Sequence, residues 1–233
     1  MALQEVALTT VDGVVEDQAA MLARATGMEG RFGAVGHFPI VDPDTRSAIG
    51  AAFWGNAILS RLPIRSSHTV ALPTAGDQDL VEPVESALEL AGVRYADAPV
   101  GVRELRCLLH CELERDGEPL HAASTHLTHI GSSQRGSQAE ALAATLGGLP
   151  GPLVLLGDLN APIEAPELEP VSAHLVDAFA AVDIPAGDER RASCGPHRID
   201  QVLVRRLDPV SCRVVVEASE ASDHWPVAAT FSD

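Results

Sequence analysis

The chain has 233 residues, room for one large domain or two small ones, and 46% of them are hydrophobic, so a substantial core can be buried. Aromatics make up only 3%, so that core must be aliphatic, and the 21% of charged residues exclude a disordered composition. The formal charge is −17, and all sixteen basic residues are Arg; this argues against a general DNA-binding surface, while a local Arg cluster still suits a phosphate.

Ala2 to Val6 reads as the end of a buried strand. Asp12 is expected to cap a helix running to about Ala25, stopped by Gly27, with Met21 and Leu22 on its buried side. Arg31 to Gly36 is a short strand, followed by a Gly/Pro/Asp-rich loop from His37 to Gly50. Asn56 to Ser60 is a strand, and another runs from Pro63 through Leu72. A helix is expected at Val84 to Ala91. Arg106 to Arg115 alternates, with Cys107, Leu109, Cys111 and Leu113 on one face. Asp116-Gly117 makes a hairpin turn, and the return strand runs from Pro119 to about Thr125. Ser133 to Leu146 is a helix. Pro152 to Gly157 is an apolar strand of the kind buried on both faces. Arg198 to Val204, Arg213 to Glu217 and Val227 to Phe231 are the last strands. Hairpins and helices alternate without a regular βαβ rhythm, which predicts mixed sheets covered by helices, an α+β sandwich of one domain over residues 1–233.

Cys107 and Cys111, four apart in one strand, would lie about 13 Å from each other, too far for a disulfide. With Cys194 and Cys212 they are expected to be reduced thiols of a cytoplasmic protein. No apolar run approaches membrane-spanning length, and no signal-peptide pattern opens the sequence.

Acidic residues stand at strand ends throughout. Glu5 closes the first strand, Asp158 and Asn160 follow the apolar strand at 152–157, Asp200 sits inside Arg198-Ile199-Asp200, and Asp223 and His224 precede the last strand. A carboxylate beside a buried strand is costly unless something compensates it. One alone reads as a turn or cap residue. Several converging would make an oxygen-rich site for a hard cation such as Mg²⁺ or Mn²⁺.

Seven segments, which keep the family's order along the chain, carry a resemblance to the endonuclease/exonuclease/phosphatase superfamily. Leu3-Gln4-Glu5-Val6 is similar to its metal-binding strand, and Gly55-Asn56-Ala57-Ile58-Leu59-Ser60-Arg61-Leu62-Pro63-Ile64 to a structural signature. Ser124-Thr125-His126-Leu127 resembles its Asn-Thr-His-Leu element with Ser in the Asn place, and Arg135 and Gln138 its Arg-x-x-Gln helix. Gly157-Asp158-Leu159-Asn160 and Ser222-Asp223-His224 resemble its two most diagnostic motifs, and Arg198-Ile199-Asp200-Gln201 its Arg-Ile-Asp-Tyr strand. The resemblance implies a four-layer α/β sandwich, two mixed β-sheets flanked by helices, with the site at the rim of both sheets.

It also implies roles. Glu5 would hold a divalent cation, with Asp223 near it. Asp158 would orient or deprotonate the attacking water, and Asn160 would position it. His224, paired to Asp200, would stabilise charge or act as acid–base partner, and His126 would contact the phosphate or assist the leaving group. Which group serves as base stays open. Cation and imidazolium would neutralise charge on the phosphoryl oxygens while a fixed carboxylate aims the water. Arg106, opposite in parity to the cysteines, can reach a phosphate. Arg135, Gln138 and Arg61 read as structural hydrogen bonders, and Trp225 as packing.

Family members usually begin with a strand ending in Asn and a helix before the Leu-Gln-Glu strand. Both are missing ahead of Met1, so the chain is expected to be N-terminally truncated, its start mis-assigned within an upstream-extended strand. An extended version that gained neither stability nor activity would refute this. The expected function is hydrolysis of a phosphoester, as a phosphodiesterase, nuclease or phosphatase. The substrate is a small molecule, a lipid headgroup or nucleic acid, and acidity favours the first two. The loops at 37–50, 66–102 and 184–197 would choose it. The rivals are a non-catalytic member acting as a binding protein, and a zinc hydrolase using His126 and His129.

Overall fold

Asp12-Gly13 decides how the first segment folds, in a way the helix expectation missed. Both residues take positive φ, +48° and +81°, the backbone of a tight hairpin turn. The flanking Thr9-Thr10-Val11 and Val14-Val15 are β-branched, so they extend into β1 (Ala2–Val11) and β2 (Val14–Asp17), paired Val11 to Val14. The helix begins only after them, as α1 (Gln18–Thr26). Asp17 is its cap, accepting from the Ala20 amide at 2.8 Å, and Gly27 ends it in the left-handed conformation. Met21 and Leu22 are exposed, and Ala19 and Ala23 face inward. The backbone of Gly30 approaches so closely that a Cβ there would lie 3.0 Å from that of Ala23, so the inward face admits only small side chains.

The computed structural model describes residues 1–74, 105–129, 131–218 and 222–232. The helix expected at Val84–Ala91 lies outside them. The loop expected at 37–50 is mostly strand: β3 (Glu29–Val41) and β4 (Ala48–Ser60) form one long hairpin, turned at Asp42, whose carboxylate accepts the Asp44 and Thr45 amides. Pro39 is tolerated because β3 is an edge strand of the four-stranded sheet, ordered β2-β1-β4-β3.

The second sheet combines β5 (Ile64–Ala71), β6 (Cys107–Arg115), β7 (Glu118–His126), β8 (Leu153–Asp158), β9 (Val176–Asp177) and β10 (Asp200–Arg205), in the order β5-β6-β7-β8-β10-β9. Asp116 and Gly117 make the β6–β7 hairpin with positive φ, as the sequence predicts. Among the described residues only β7 and β8 pair in parallel, joined by α2 (Ser132–Gly147). β11 (Pro209–Val214) and β12 (Val227–Phe231) form a separate ribbon. The short helices α3 (Glu169–Ser172) and α4 (Ala178–Ala181) lack a sequence signal, being four residues each.

The layers are α1, the four-stranded sheet, the six-stranded sheet and α2, a mixed α+β architecture. Leu109, Cys111 and Leu113 of β6 meet Ile58 between the sheets. The other face of the larger sheet packs Leu108, Leu153, Leu155 and Leu203 against Leu142 and Leu146 of α2. Each such fully buried leucine contributes about 1.5–3 kcal/mol relative to exposure. All four cysteines are free thiols. Among the described residues no helix is long and apolar enough to cross a membrane.

Candidate active site

Strand register assembles the centre. His126 is the last residue of β7, Asp158 the last of β8 and Asp200 the first of β10. His126 pairs directly with Asp158, and Asp158 with Asp200. Residues opposite one another in a sheet project from the same face, so the three side chains stand in a row at one sheet end. That face is turned toward the four-stranded sheet, as the Ser124 hydroxyl shows by meeting Gln4 at 3.1 Å. Gly157 is required one step earlier, because a Cβ there would collide with the Thr125 carbonyl oxygen across the parallel pair.

His224 joins the row from the 222–226 segment, its Nδ1 2.8 Å from Asp200 Oδ2. The hydrogen bond to Asp200 is the main cause that raises its pKa to about 9, against the cost of partial burial. Asp158 moves upward to about 7, first because it is buried and then because Asp200 is a like charge beside it. His126 is pushed the other way, well below the usual imidazole value, by burial and then by Arg106. The network assigns its tautomer: Arg106 Nη1 lies 3.0 Å from His126 Nδ1 and can only donate, so Nε2 carries the hydrogen toward Asp158 Oδ2 at 3.4 Å.

Asn160 sits at φ +53°, with its amide donating to Asp158 Oδ1 at 2.8 Å and its Nδ2 to the Leu127 carbonyl at 2.8 Å. It thereby ties the ends of β7 and β8 together. Glu5 has φ +56° at a register irregularity between Leu3 and Val6, a bulge that re-aims its side chain. Its carboxylate lies 3.9 Å from His126 Nδ1.

Among the described residues one group of metal-capable side chains has its donor atoms within reach of one another: Asp158, Asp200 and His224, all within 4.8 Å. The sequence resemblance implied Glu5 and Asp223 instead. Neither is in that group: Glu5 faces His126 from the other sheet, and Asp223 is exposed, accepting from the Ser222 hydroxyl at 3.3 Å. His129 is not in it either. The donor set fits a hard cation, since the buried Asp158 carboxylate and the partly buried Asp200 carboxylate beside it repel each other and a positive ion between them relieves that repulsion.

The surroundings hold residues in place. Gln138 accepts from the Thr128 amide at 2.9 Å, and Arg135 donates to the Thr128 carbonyl at 3.0 Å and pairs with Glu167, so both fix the segment after His126. Trp225 packs against the core at β10 and the β11–β12 ribbon. Two residues escaped the sequence reading. Asn56, read as part of a structural signature, is buried and donates to the Cys107 carbonyl at 3.0 Å, in a small cavity that Glu5, Arg106 and His126 also line. Ser193 bonds Asp200, and a serine seven residues before an aspartate in a loop carries no recognisable pattern.

A sequence model described as the Endonuclease/Exonuclease/phosphatase family matches residues 1–224. Among curated protein sequences there is no significant match. Solved structures are similar in fold. The human Nocturnin catalytic domain with bound sulfate anion is 17% identical with TM-score 0.59, over 93% of this chain and 77% of that one. D. rerio TDP2 complexed with single strand DNA product is 16% identical with TM-score 0.60, over 100% and 85%. A mannosyl-6-phosphatase from Bacteroides thetaiotaomicron is 15% identical with TM-score 0.53, over 93% and 81%.

Proposed function

The chain belongs to the endonuclease/exonuclease/phosphatase family, and from that premise we propose that it hydrolyses a phosphoester with the help of a divalent cation, Mg²⁺ or Mn²⁺. The observation that carries this reading is the row of His126, Asp158 and Asp200 at paired strand ends, closed by His224 on Asp200.

In this proposal Asp158 aims the attacking water and takes its proton as the new P–O bond forms in line with the bond that breaks. Asn160 keeps the Asp158 carboxylate oriented through its backbone amide. His224, held as an imidazolium and oriented by Asp200, places positive charge beside the phosphoryl oxygens and gives a proton to the departing oxygen. His126, neutral and flanked by Arg106, contacts the phosphate. The cation supplies positive charge that neutralises the phosphoryl oxygens when bound. Glu5 and Asp223 are the ligands we assign it. The compact Asp158, Asp200 and His224 group favours a second reading, in which those three hold it. Calorimetric Mn²⁺ titration separates the two: Glu5→Gln weakens binding under the first and leaves it unchanged under the second.

The net charge of −17 and the absence of Lys favour a small or lipid-derived phosphoester over duplex DNA. Among the fold neighbours, one is named as a sugar-phosphate phosphatase and another holds a single-strand DNA product, a range that contains both options. The test is a panel of a sugar phosphate, a choline phosphodiester, single-stranded DNA and bis-p-nitrophenyl phosphate, with Mg²⁺, Mn²⁺ or EDTA. Turnover that needs the cation and favours the small substrates supports the proposal. No turnover under any condition leaves the non-catalytic binding member as the reading.

A further inference from the structure

We propose that Ser193 is a positioning residue that holds Asp200 and His224 in register, an inference that rests on the catalytic reading of that pair. Ser193 is completely buried. Its hydroxyl donates to Asp200 Oδ2 at 2.7 Å and accepts from the Asp200 amide at 3.2 Å, closing a small ring that fixes the carboxylate's rotation. His224 Nδ1 reaches the same oxygen, Oδ2, at 2.8 Å. The Ser193 carbonyl meanwhile accepts from the Trp225 amide at 2.7 Å, immediately after His224 in the chain. One residue therefore grips both partners, the acid through its side chain and the histidine's segment through its backbone.

The grip is itself anchored. The Ser193 amide donates to the His197 carbonyl at 2.9 Å. Two residues earlier, fully buried Arg191 pairs with Asp177 at 2.7 Å and donates to Gln201 Oε1 at 3.1 Å, and Gln201 follows Asp200 on β10. The 188–198 segment is thus fastened to the same strand whose first carboxylate it orients. Without the hydroxyl, Asp200 would keep His224 as a partner but lose what sets its rotation, and the imidazole would follow the carboxylate.

The test uses Ser193→Ala, which removes one oxygen, with Arg190→Ala as a control on the same segment, where Arg190 is exposed and pairs with Asp188. In the metal-free protein, proton NMR follows the downfield resonance of the His224 Nδ1 hydrogen. In the metal-supplied protein, kcat and KM are measured on bis-p-nitrophenyl phosphate. The expectation for Ser193→Ala is a resonance broadened or lost, and a kcat lowered about 10- to 100-fold, the size of one hydrogen bond to a charged group, with KM within twofold. Arg190→Ala leaves both unchanged. A Ser193→Ala protein that keeps the resonance and kcat, even with a lower melting temperature, overturns the proposal, as does an equal loss in Arg190→Ala. If the wild type itself turns nothing over, the catalytic reading fails while the resonance still reports on the clamp.

Discussion

Replacing Arg191 by Met tests how the structure pays for a fully buried guanidinium, the one among the described residues. Arg191 is 1% exposed. Its Nη2 lies 2.7 Å from Asp177 Oδ2 and 3.1 Å from Gln201 Oε1, and its guanidinium stands 4.8 Å over the Phe179 ring. Met fills similar volume and keeps the packing, so the loss is electrostatic. Asp177 is left nearly buried with no cation, and Gln201 with an unmet acceptor. Breaking a buried pair by removing one partner costs about 3–5 kcal/mol, more than the pair is worth as a unit. Asp177→Asn should cost about as much, because it strands the fully buried guanidinium in turn, although the side chain can still cap α4 through the Phe179 amide, which donates to Asp177 Oδ1 at 3.0 Å in the wild type. The double variant should recover part of the sum, since two neutral groups have nothing to strand. Urea denaturation reads all three, provided the m-values agree. An Arg191→Met protein within about 1 kcal/mol of wild type would refute the reasoning, because a buried carboxylate cannot lose its cation that cheaply.

Gly157→Ala should destabilise by about 3 kcal/mol or more and also lower activity, because its Cβ would drive against the Thr125 carbonyl and part β7 from β8 where His126 and Asp158 emerge; equal stability in urea would contradict the close approach. His110 is pushed down to about 4, mainly by burial and next by His121 and His68, from 6.5. Above 6.5 it is neutral in both states and contributes nothing. As the pH falls from 6.5 to about 4 the unfolded chain takes up the proton first, so stability falls, by about 2–3 kcal/mol when complete. His110→Gln should flatten that part of the stability–pH curve, and an unchanged slope would sink the assignment.

The sequence made the site more legible than the fold's edges. Asp158, Asp200 and His126 stand at strand ends that are readable because β8 is a continuous apolar run and β6–β7 carries Asp116-Gly117. The register that lines them up is a tertiary fact, and only the resemblance anticipated it. The first hairpin was lost because Asp12 is as good a helix cap as a turn residue, and Ala-rich α1 lies just beyond it. Hydrophobicity points to Met21 and Leu22 as the inward face of α1, whereas close packing on Gly30 selects Ala19 and Ala23. The β3–β4 hairpin was hidden by Pro39 and the glycines, which an edge strand accommodates. Ser193 and Arg191 were invisible because they act through partners far away in sequence terms or in an unpatterned loop.

The most direct measurement of the central claim is kcat for Asp158→Asn and His224→Ala beside wild type on bis-p-nitrophenyl phosphate with saturating Mn²⁺, each protein first matched for melting temperature. The account predicts that each variant loses at least about 100-fold in kcat, as expected when a water-aiming carboxylate or a charge-stabilising imidazolium is removed. Wild-type turnover that persists in both variants would contradict it.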